Sequence, residues 1–366
     1  MRPMNLNISI VALLAFVLAA CGGQGNEAAA PTSKPAEVTD VAEQTSETGG
    51  EVVNVYSGRH YDNDVVLFDE FTAETGIQVN LIEAGGNALI ERIVQEGAKS
   101  PADIFITADA GNMWRAEQRG IFQAMDAPDI ANRAPAKYQH PEGFWTGVTK
   151  RARVIIYNRE MGLPETLATY QDLANPAHEG MVCIRPSSNI YNQSLLASII
   201  AHDGEEVAKD WAAGVVANFA RKPQGNDTAQ IEAVAAGICQ VGVVNSYYVA
   251  RFLNADDAEK AAIGEKFGVL FPNQETTGTH VNISGAGIVA NAPNPDNAKA
   301  LIAYLLRDDV QARFALGNNE YPVVAGIAAQ GPVATLGDFR ADDLSVTAYG
   351  ENQAAAIKVF DAVNWP

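Results

Sequence analysis

Hydrophobic and polar positions alternate with two distinct spacings from about residue 51 onward. Short β-branched segments, "EVVNVYS", "QVNLIEA" and "ADIFITA", are each followed by a segment with helical spacing, "VVLFDEFTAETG", "NALIERIVQEG" and "AGNMWRAEQRG". Several of the helical segments end at a glycine, which commonly terminates helices. A strand, helix, strand order with short connections predicts an α/β lobe.

A second α/β lobe is predicted further along the chain. The pattern is irregular in "FWTGVTKRARVIIYNRE" and resumes with "GMVCIRP", "NQSLLASIIAHDG" and "AQIEAVAAGICQVGVVNSYYVARF". "HVNISGAGIVANAPN" predicts a return strand, and "PDNAKALIAYLLRDDVQARFAL" predicts a helical segment after it. Because residues 51–366 exceed the usual size of a single-core domain, we predict two lobes. The first comprises residues 51–145 and 278–320, and the second comprises residues 146–277 and 321–366.

Residues 1–20 predict an export signal peptide, because one arginine is followed by an apolar run shorter than a bilayer span. The signal ends in "LAAC", which resembles the lipobox of bacterial lipoproteins. A lipid on Cys21 would tether the chain to a membrane without spanning it. An ordinary signal peptide with a chance cysteine is the alternative. Residues 21–50 contain few large apolar side chains and predict a flexible tether.

The formal net charge of −19 argues against nucleic acid and anionic membrane surfaces as partners. It suits a cationic ligand, although acidity often serves solubility alone. Two cysteines remain after Cys21, and each lies beside an apolar run, "MVCIRP" for Cys183 and "GICQVGVV" for Cys239. In an exported protein such a pair forms either a disulfide or two buried thiols, and spacing leaves both open.

Tyrosines recur directly after predicted strands. His60 and Tyr61 follow the first strand, Tyr191 follows "MVCIRP", and Tyr247 and Tyr248 follow "CQVGVV". Ligands of open α/β sheets bind beyond the carboxyl ends of strands, and two facing lobes place such ends across a cleft. Neighbouring residues point about 100° apart within a helix, but they can converge at a strand-to-helix turn. A single tyrosine is most often an amphipathic packing residue, so the recurrence is what favours a site.

Several phenols and one imidazole suit a hard, trivalent metal ion. A phenol has a pKa near 10 and becomes an anionic ligand only when a strong Lewis acid displaces its proton. Ferric iron prefers such oxygen anions and accepts imidazole. Four phenolates would leave one excess negative charge on the centre. Nearby arginines could offset this charge, and the candidates are Arg59, Arg151, Arg153, Arg185 and Arg251.

Five segments of the sequence carry a resemblance to a known family. They are "NVYSGRHYDND", "SPADIFITADAGNMWRAEQRGIFQ", "RARVIIYN", "RPSSNIYNQSLLAS" and "VVNSYYVARF". In these segments the sequence resembles the ferric-iron-binding proteins of bacterial ABC importers. These are transferrin-like members of the periplasmic binding-protein superfamily, and the chain looks most like their Tyr-rich cyanobacterial-type subgroup. The resemblance covers nearly all of residues 51–366. By motif, it implies that ferric iron is bound by His60, Tyr61, Tyr191, Tyr247 and Tyr248.

The same resemblance implies a type II two-lobed fold with an interlobe cleft and a β-strand hinge. It also implies a monomeric receptor in the cell envelope or periplasm that transports ferric iron as its ligand, with an ABC permease and ATPase as partners. A second subgroup uses a Glu directly after the Thr of a stretch like "ADIFIT", together with a bound anion. That position is Ala108 here, followed by Asp109, so a carboxylate ligand and an obligatory anion are not expected.

The residues leave two alternatives to a ferric-iron-binding protein. The same fold also carries polyamines, thiamine and other solutes, and an exported iron-dependent enzyme is a more distant alternative. The chain shows no G-x-S-x-G, H-E-x-x-H or P-loop pattern. "GAGIVA", residues 285–290, matches a dinucleotide fingerprint, but no helix is predicted after it, so we interpret it as a hinge or turn. Tyr56, Tyr157 and Tyr170 are expected to pack rather than bind.

Overall fold

The computed structural model describes residues 51–253 and 255–366. The predicted signal peptide of residues 1–20, Cys21 and the tether of residues 21–50 lie outside the described residues. Within the described part, the helices are all too short or too polar to cross a bilayer.

Strands form a mixed sheet in the order β2-β1-β3-β8-β4-β6-β5, and β7 and β9 also pair with β4. The strands of the described residues are β1 Val52–Ser57, β2 Gln78–Glu83, β3 Ile104–Ala108, β4 Thr146–Asn158, β5 Val182–Cys183, β6 Val241–Asn245, β7 Phe267–Leu270, β8 Val281–Ile288 and β9 Tyr321–Pro322. The three strands predicted near the beginning of the domain are confirmed as β1, β2 and β3.

Helices connect and cover these strands. Those of the described residues are α1 Asp62–Thr75, α2 Gly86–Glu96, α3 Ala110–Gln118, α4 Pro128–Ala131, α5 Ile190–Asp203, α6 Glu205–Ala217, α7 Asp227–Ala235, α8 Ser246–Leu253, α9 Ala258–Gly264, α10 Pro295–Leu305, α11 Asp308–Asn318, α12 Thr347–Glu351 and α13 Gln353–Ala362. Helix α1 ends at Gly76, which adopts the left-handed conformation with φ 78°, as the sequence predicts.

Strand β4 joins two parts of the sheet. Its residues 146–152 pair with β8, which in turn pairs with β3 and so connects to the parallel strands β1 and β2. From Arg153 onward β4 pairs with β6 and then also with β7. The segment that looks irregular in the sequence is therefore one 13-residue strand. It is the shared element of both halves, although the predicted lobe boundaries themselves stay a prediction.

The helical segment predicted after the return strand is divided into α10 and α11. Arg307, between them, has extended backbone with φ −66° and ψ 150°. Its guanidinium lies 2.7 Å from Asp309 Oδ2, and Asp308 and Asp309 open α11. Acidic residues are favoured in the first turn of a helix, so the charges in "LLRDDV" explain the new start.

The first four residues of "GAGIVA" lie inside a strand, and only Ala290 at its end is in a turn. Gly285 to Ile288 belong to β8, between β3 and β4. A Cβ at Gly287 would lie 2.6 Å from the Phe122 ring and 2.7 Å from the carbonyl oxygen of Phe144. Close packing therefore explains this glycine. The predicted return strand is confirmed as β8, no turn is found at residues 285–288, and the hinge stays a prediction.

Cys183 and Cys239 form a disulfide. It links the end of β5 to the residues just before β6, and both cysteines are buried in an apolar cluster with Ile156, Val234 and Val244. Of the two arrangements left open by the sequence, the structure shows the disulfide.

Candidate metal site

All five predicted ligands line one pocket with a volume of about 190 Å³. The residues around it are Gly58, Arg59, His60, Tyr61, Ala108, Tyr191, Tyr247, Tyr248 and Arg251. They come from the ends of β1 and β3, from the first turns of α5 and α8 and, for Arg251, from the last turn of α8. The pocket thus lies where strands end and helices begin, as expected for an α/β protein.

The loop Gly58–Tyr61 supplies one side of the pocket. The Gly58 amide donates to the carbonyl of Ile106, at 2.8 Å. A Cβ at Gly58 would lie 2.6 Å from Thr107 Oγ1 and 3.2 Å from the Gly86 backbone. Only a residue without a side chain lets this loop lie so close to β3, and Tyr61 then occupies the N-cap position of α1.

His60 is the most accessible of the five, with 60% of its side chain exposed. Its Nδ1 lies 3.7 Å from Glu83 Oε1. Glu83 ends β2 and is paired in register with Ser57 of β1, which places it beside the loop. An imidazole whose Nδ1 faces a carboxylate has Nε2 available for a metal ion.

Tyr191, Tyr247 and Tyr248 supply the other side. The Tyr191 and Tyr247 hydroxyls are 3.2 Å apart, and the rings of Tyr247 and Tyr248 are 4.4 Å apart between centroids. The two adjacent tyrosines therefore do converge at the junction of β6 and α8. Their position in the first turn of the helix allows both to reach one pocket.

Burial raises the pKa of three of these phenols, those of Tyr61, Tyr191 and Tyr247. For Tyr247, which is only 3% exposed, the neighbouring phenols of Tyr191, Tyr61 and Tyr248 raise the pKa further. These groups therefore stay protonated at neutral pH unless a cation stabilises the phenolates. A metal ion that binds here must displace their protons.

Arg251 and Arg59 lie against the aromatic rings of the site. The Arg251 guanidinium carbon is 5.3 Å from the ring centroids of Tyr247 and Tyr248 and 5.7 Å from that of Tyr61. The Arg59 guanidinium carbon is 4.8 Å from the Tyr61 ring. Both cations are within the range of cation–π contact, and both can offset negative charge on phenolates.

Arg153 and Arg185 flank the Tyr191 ring, with guanidinium carbons 5.8 and 5.3 Å from its centroid. Arg153 is buried and pairs with Asp227 at 2.9 Å. Arg151 is equally buried, and its Nη1 donates to Ser284 Oγ at 3.1 Å. Four of the predicted arginines, Arg59, Arg153, Arg185 and Arg251, therefore lie against rings of candidate ligands. Arg151 lies 4.0 Å from Glu320, which pairs with Arg59.

Asp109 does not line the pocket. It is buried, and its carboxylate accepts hydrogen bonds from the Gly111 amide at 2.9 Å, Ser194 Oγ at 2.6 Å and Asn282 Nδ2 at 3.0 Å. Ala108 lines the pocket instead. No carboxylate lines the pocket in the described part of the chain. The described residues also contain no group of three or more His, Cys, Asp or Glu side chains that could hold a metal.

The three tyrosines predicted to pack lie outside the pocket. Tyr56 is buried in β1 and donates to the Glu96 carboxylate at 3.1 Å. Tyr170 is buried and donates to the carbonyl oxygen of Arg153. Tyr157, in β4, lies against Gly268 of β7.

Among the buried carboxylates near the site that the sequence reasoning misses are Asp227 and Glu320. Both are 0% exposed, and both pair with arginines of the site, Glu320 with Arg59 at 3.1 Å. A signal for them exists in "KRARVIIYN", because two arginines at alternate positions of a buried strand require acidic partners. The sequence does not indicate which acidic residues these are.

Comparison with known proteins places the chain among binding proteins. Residues 99–335 match the family described as bacterial extracellular solute-binding protein. "Iron uptake protein A1" of Synechocystis sp. PCC 6803 is 49% identical over 86% of this chain and 87% of that protein. Two solved structures are also similar to this chain. The first covers 86% and the second 87% of this chain, and each match includes the whole of the solved chain. They are Trichodesmium IdiA (FutA) in complex with iron and citrate, at 51% identity and TM-score 0.84, and apo FutA2 of Synechocystis PCC6803, at 47% and 0.83.

These likenesses confirm the type II two-lobed α/β fold predicted from the sequence. On the extent of the family match and the identity to relatives of nearly full length, this chain belongs to the bacterial extracellular solute-binding protein family.

Proposed function

We propose that this chain is the extracytoplasmic component of an ABC importer, that it binds ferric iron, and that it delivers the iron to the permease. The proposed ligands are His60, Tyr61, Tyr191, Tyr247 and Tyr248. The observation that carries this proposal is the convergence of four phenols and one imidazole on a single pocket.

The chemistry of these groups favours ferric iron over divalent ions. Phenols whose pKa is raised by burial yield protons only to a strong Lewis acid, and a trivalent ion is the stronger one. Phenolate oxygens are hard ligands, which softer ions bind less well. Arg251, in contact with three of the rings, would offset the excess negative charge of a ferric centre with four phenolates. Reduction to ferrous iron should weaken binding, because the divalent ion is a weaker and softer Lewis acid for phenolate oxygens.

The relatives support the same ligand. The cyanobacterial relative is named for iron uptake, and the Trichodesmium structure contains iron with citrate. The more distant "Major ferric iron-binding protein" of Neisseria meningitidis is 25% identical over 83% of this chain.

The cellular setting completes the proposal. We expect a monomer in the periplasm, tethered to a membrane by a lipid on Cys21, with a permease and an ATPase as partners. The two lobes, residues 51–145 with 278–320 and residues 146–277 with 321–366, would close around the ion. Iron would first bind the tyrosines that begin α5 and α8, and closure would then add His60 and Tyr61.

The proposal is tested by titrating the purified mature domain with ferric iron and recording the absorption spectrum. A phenolate-to-iron charge-transfer band should appear in the wild type and be lost in the Tyr247→Phe, Tyr248→Phe double variant. Tyr157→Phe is the control, since Tyr157 is a tyrosine of β4 that does not line the pocket. Its band should match the wild type. A colourless wild-type protein that takes up no iron would reject ferric iron and direct the search to an organic solute in the same pocket.

A further inference from the structure

The Arg59 side chain extends from the loop Gly58–Tyr61 into the interior of the protein. It is 2% exposed, and its guanidinium contacts the Tyr61 ring at 4.8 Å. Its Nε donates to Asp64 Oδ2 at 2.7 Å, so the first turn of α1 is tied to the same side chain. The position of Arg59 therefore fixes the surroundings of Tyr61.

Thr149 and Glu320 hold the far end of the Arg59 guanidinium. Arg59 Nη1 donates to Thr149 Oγ1 at 3.1 Å, and Nη2 donates to Glu320 Oε2 at 3.1 Å. The Thr149 hydroxyl in turn donates to the same Glu320 oxygen at 2.8 Å. Both residues are 0% exposed, and we call these three side chains together the Arg59 cluster.

The Arg59 cluster connects Tyr61 to the strand shared by both halves of the sheet. Thr149 is in β4, and Glu320 directly precedes β9, which pairs with β4 at Thr149. Side chains alternate along a strand, so Thr149, Arg151 and Arg153 share one face of β4. Arg153 flanks the Tyr191 ring. One face of β4 therefore carries both Thr149, which contacts the Arg59 beside Tyr61, and Arg153, which flanks Tyr191.

Stability alone does not explain this arrangement. Buried ion pairs contribute little net stability, because the desolvation of both charges offsets their attraction. Hydrogen-bonded groups that surround metal ligands, in contrast, commonly determine how well those ligands are placed. The Arg59 cluster resembles such groups around metal ligands, because it contacts the candidate ligand Tyr61 on one side and includes Thr149 of β4 on the other.

We propose that Thr149 and Glu320 are positioning residues for iron capture, which through Arg59 hold Tyr61 at a fixed place relative to β4. This inference rests on the proposed function and adds to it two residues that do not touch the pocket. It predicts that loss of the Thr149 hydroxyl weakens iron binding although no ligand and no charge is removed.

The test is a set of uncharged substitutions in β4, measured by competition titration with a ferric chelator and by the rate of iron release. Thr149→Val should weaken the affinity about tenfold, the lower end of what such outer-shell contacts contribute, through faster release. Thr149→Ser retains the hydroxyl and should restore wild-type affinity. Thr146→Val is the matched control, because Thr146 is equally buried in β4 but donates to the Gly147 carbonyl. Its affinity should equal that of the wild type.

A second measurement separates positioning from general damage. In a Tyr61→Phe background, Thr149→Val should have no further effect on affinity, while any loss of thermal stability should be the same in both backgrounds. If Thr149→Val does not fold, Glu320→Asp, which shortens the side chain and keeps its charge, takes its place. An affinity loss that persists in Tyr61→Phe, or that Thr146→Val shares, overturns the inference.

The outcome also distinguishes this inference from the proposed function. A wild-type protein that binds no ferric iron overturns both. A wild-type protein that binds iron, together with a Thr149→Val variant of unchanged affinity and release rate, overturns only the positioning role.

Discussion

At the residue scale, the candidate ligands differ in how firmly the protein holds them. Tyr247 is 3% exposed, hydrogen-bonded to Tyr191 and packed against Tyr248. His60, in contrast, has 60% of its side chain exposed and contacts Glu83 only at 3.7 Å. A site whose ligands are already in place loses less entropy on binding, so the tyrosines should dominate the first contact with iron.

Substitution of single ligands should reveal this order. Tyr248→Phe should weaken ferric iron affinity by roughly tenfold or more beyond the effect of His60→Ala, because the tyrosine also supplies an anionic oxygen. Competition titration against citrate gives both affinities, and thermal unfolding without iron checks that each variant is folded. Equal losses from the two substitutions would argue against the proposed order of binding.

The residues of the pocket and the arginines around them are predictable from the sequence, whereas the acidic partners of those arginines are not. The place of a tyrosine directly after a predicted strand predicts that it lies at the edge of the sheet where ligands bind. The sequence around Glu320 does not predict its contact with Arg59, because the two residues are 261 positions apart and meet only in the folded chain. Asp109 could be rejected as a ligand from its register, but its three hydrogen bonds were visible only in the structure.

At the element scale, β8 shows why glycines recur in a buried strand. A Cβ at Gly285 would lie 2.8 Å from Cγ of the buried Met113 side chain, whereas a Cβ at Gly287 would meet the Phe122 ring and the Phe144 carbonyl. The periodicity of the flanking residues predicted the strand. The neighbours that exclude a side chain come from other elements, so the sequence alone cannot explain the glycines, and it leads to their interpretation as a hinge or turn.

Alanine at these two positions should therefore have different effects. Gly287→Ala overpacks the strand against a ring and a backbone carbonyl and should destabilise the protein by roughly 1–3 kcal/mol. Gly285→Ala is the comparison within the same strand, because its Cβ would meet only the buried Met113 side chain and no backbone atom, so it should also destabilise the protein but by less. Chemical denaturation of both variants measures the difference in the free energy of unfolding. Equal destabilisation would show that the ring and backbone near Gly287 shift as readily as the Met113 side chain.

At the scale of the whole molecule, the fold brings the candidate ligands together from three distant parts of the chain. The loop after β1, the beginning of α5 and the beginning of α8 meet because β4 pairs with β8 along one half and with β6 along the other. Periodicity predicted two α/β lobes. It did not reveal that the irregular segment is their common strand, because both sets of partners lie far away in sequence.

The assembled pocket should couple iron binding to proton release. Phenols ordinarily titrate near pH 10, and burial raises the pKa of Tyr61, Tyr191 and Tyr247 further, so the iron-free site holds its protons at neutral pH. Bound iron requires phenolates, so affinity should rise with pH and fall as the pH is lowered.

About four protons should leave per ferric ion near neutral pH if all four phenols bind. A pH indicator in weakly buffered solution measures this release, after correction for the protons that the ferric chelator itself exchanges. The Tyr247→Phe, Tyr248→Phe variant should release about two fewer protons for any iron that it still binds. Release of a single proton by the wild type would mean that most of the phenols remain protonated, and would remove them from the ligand set.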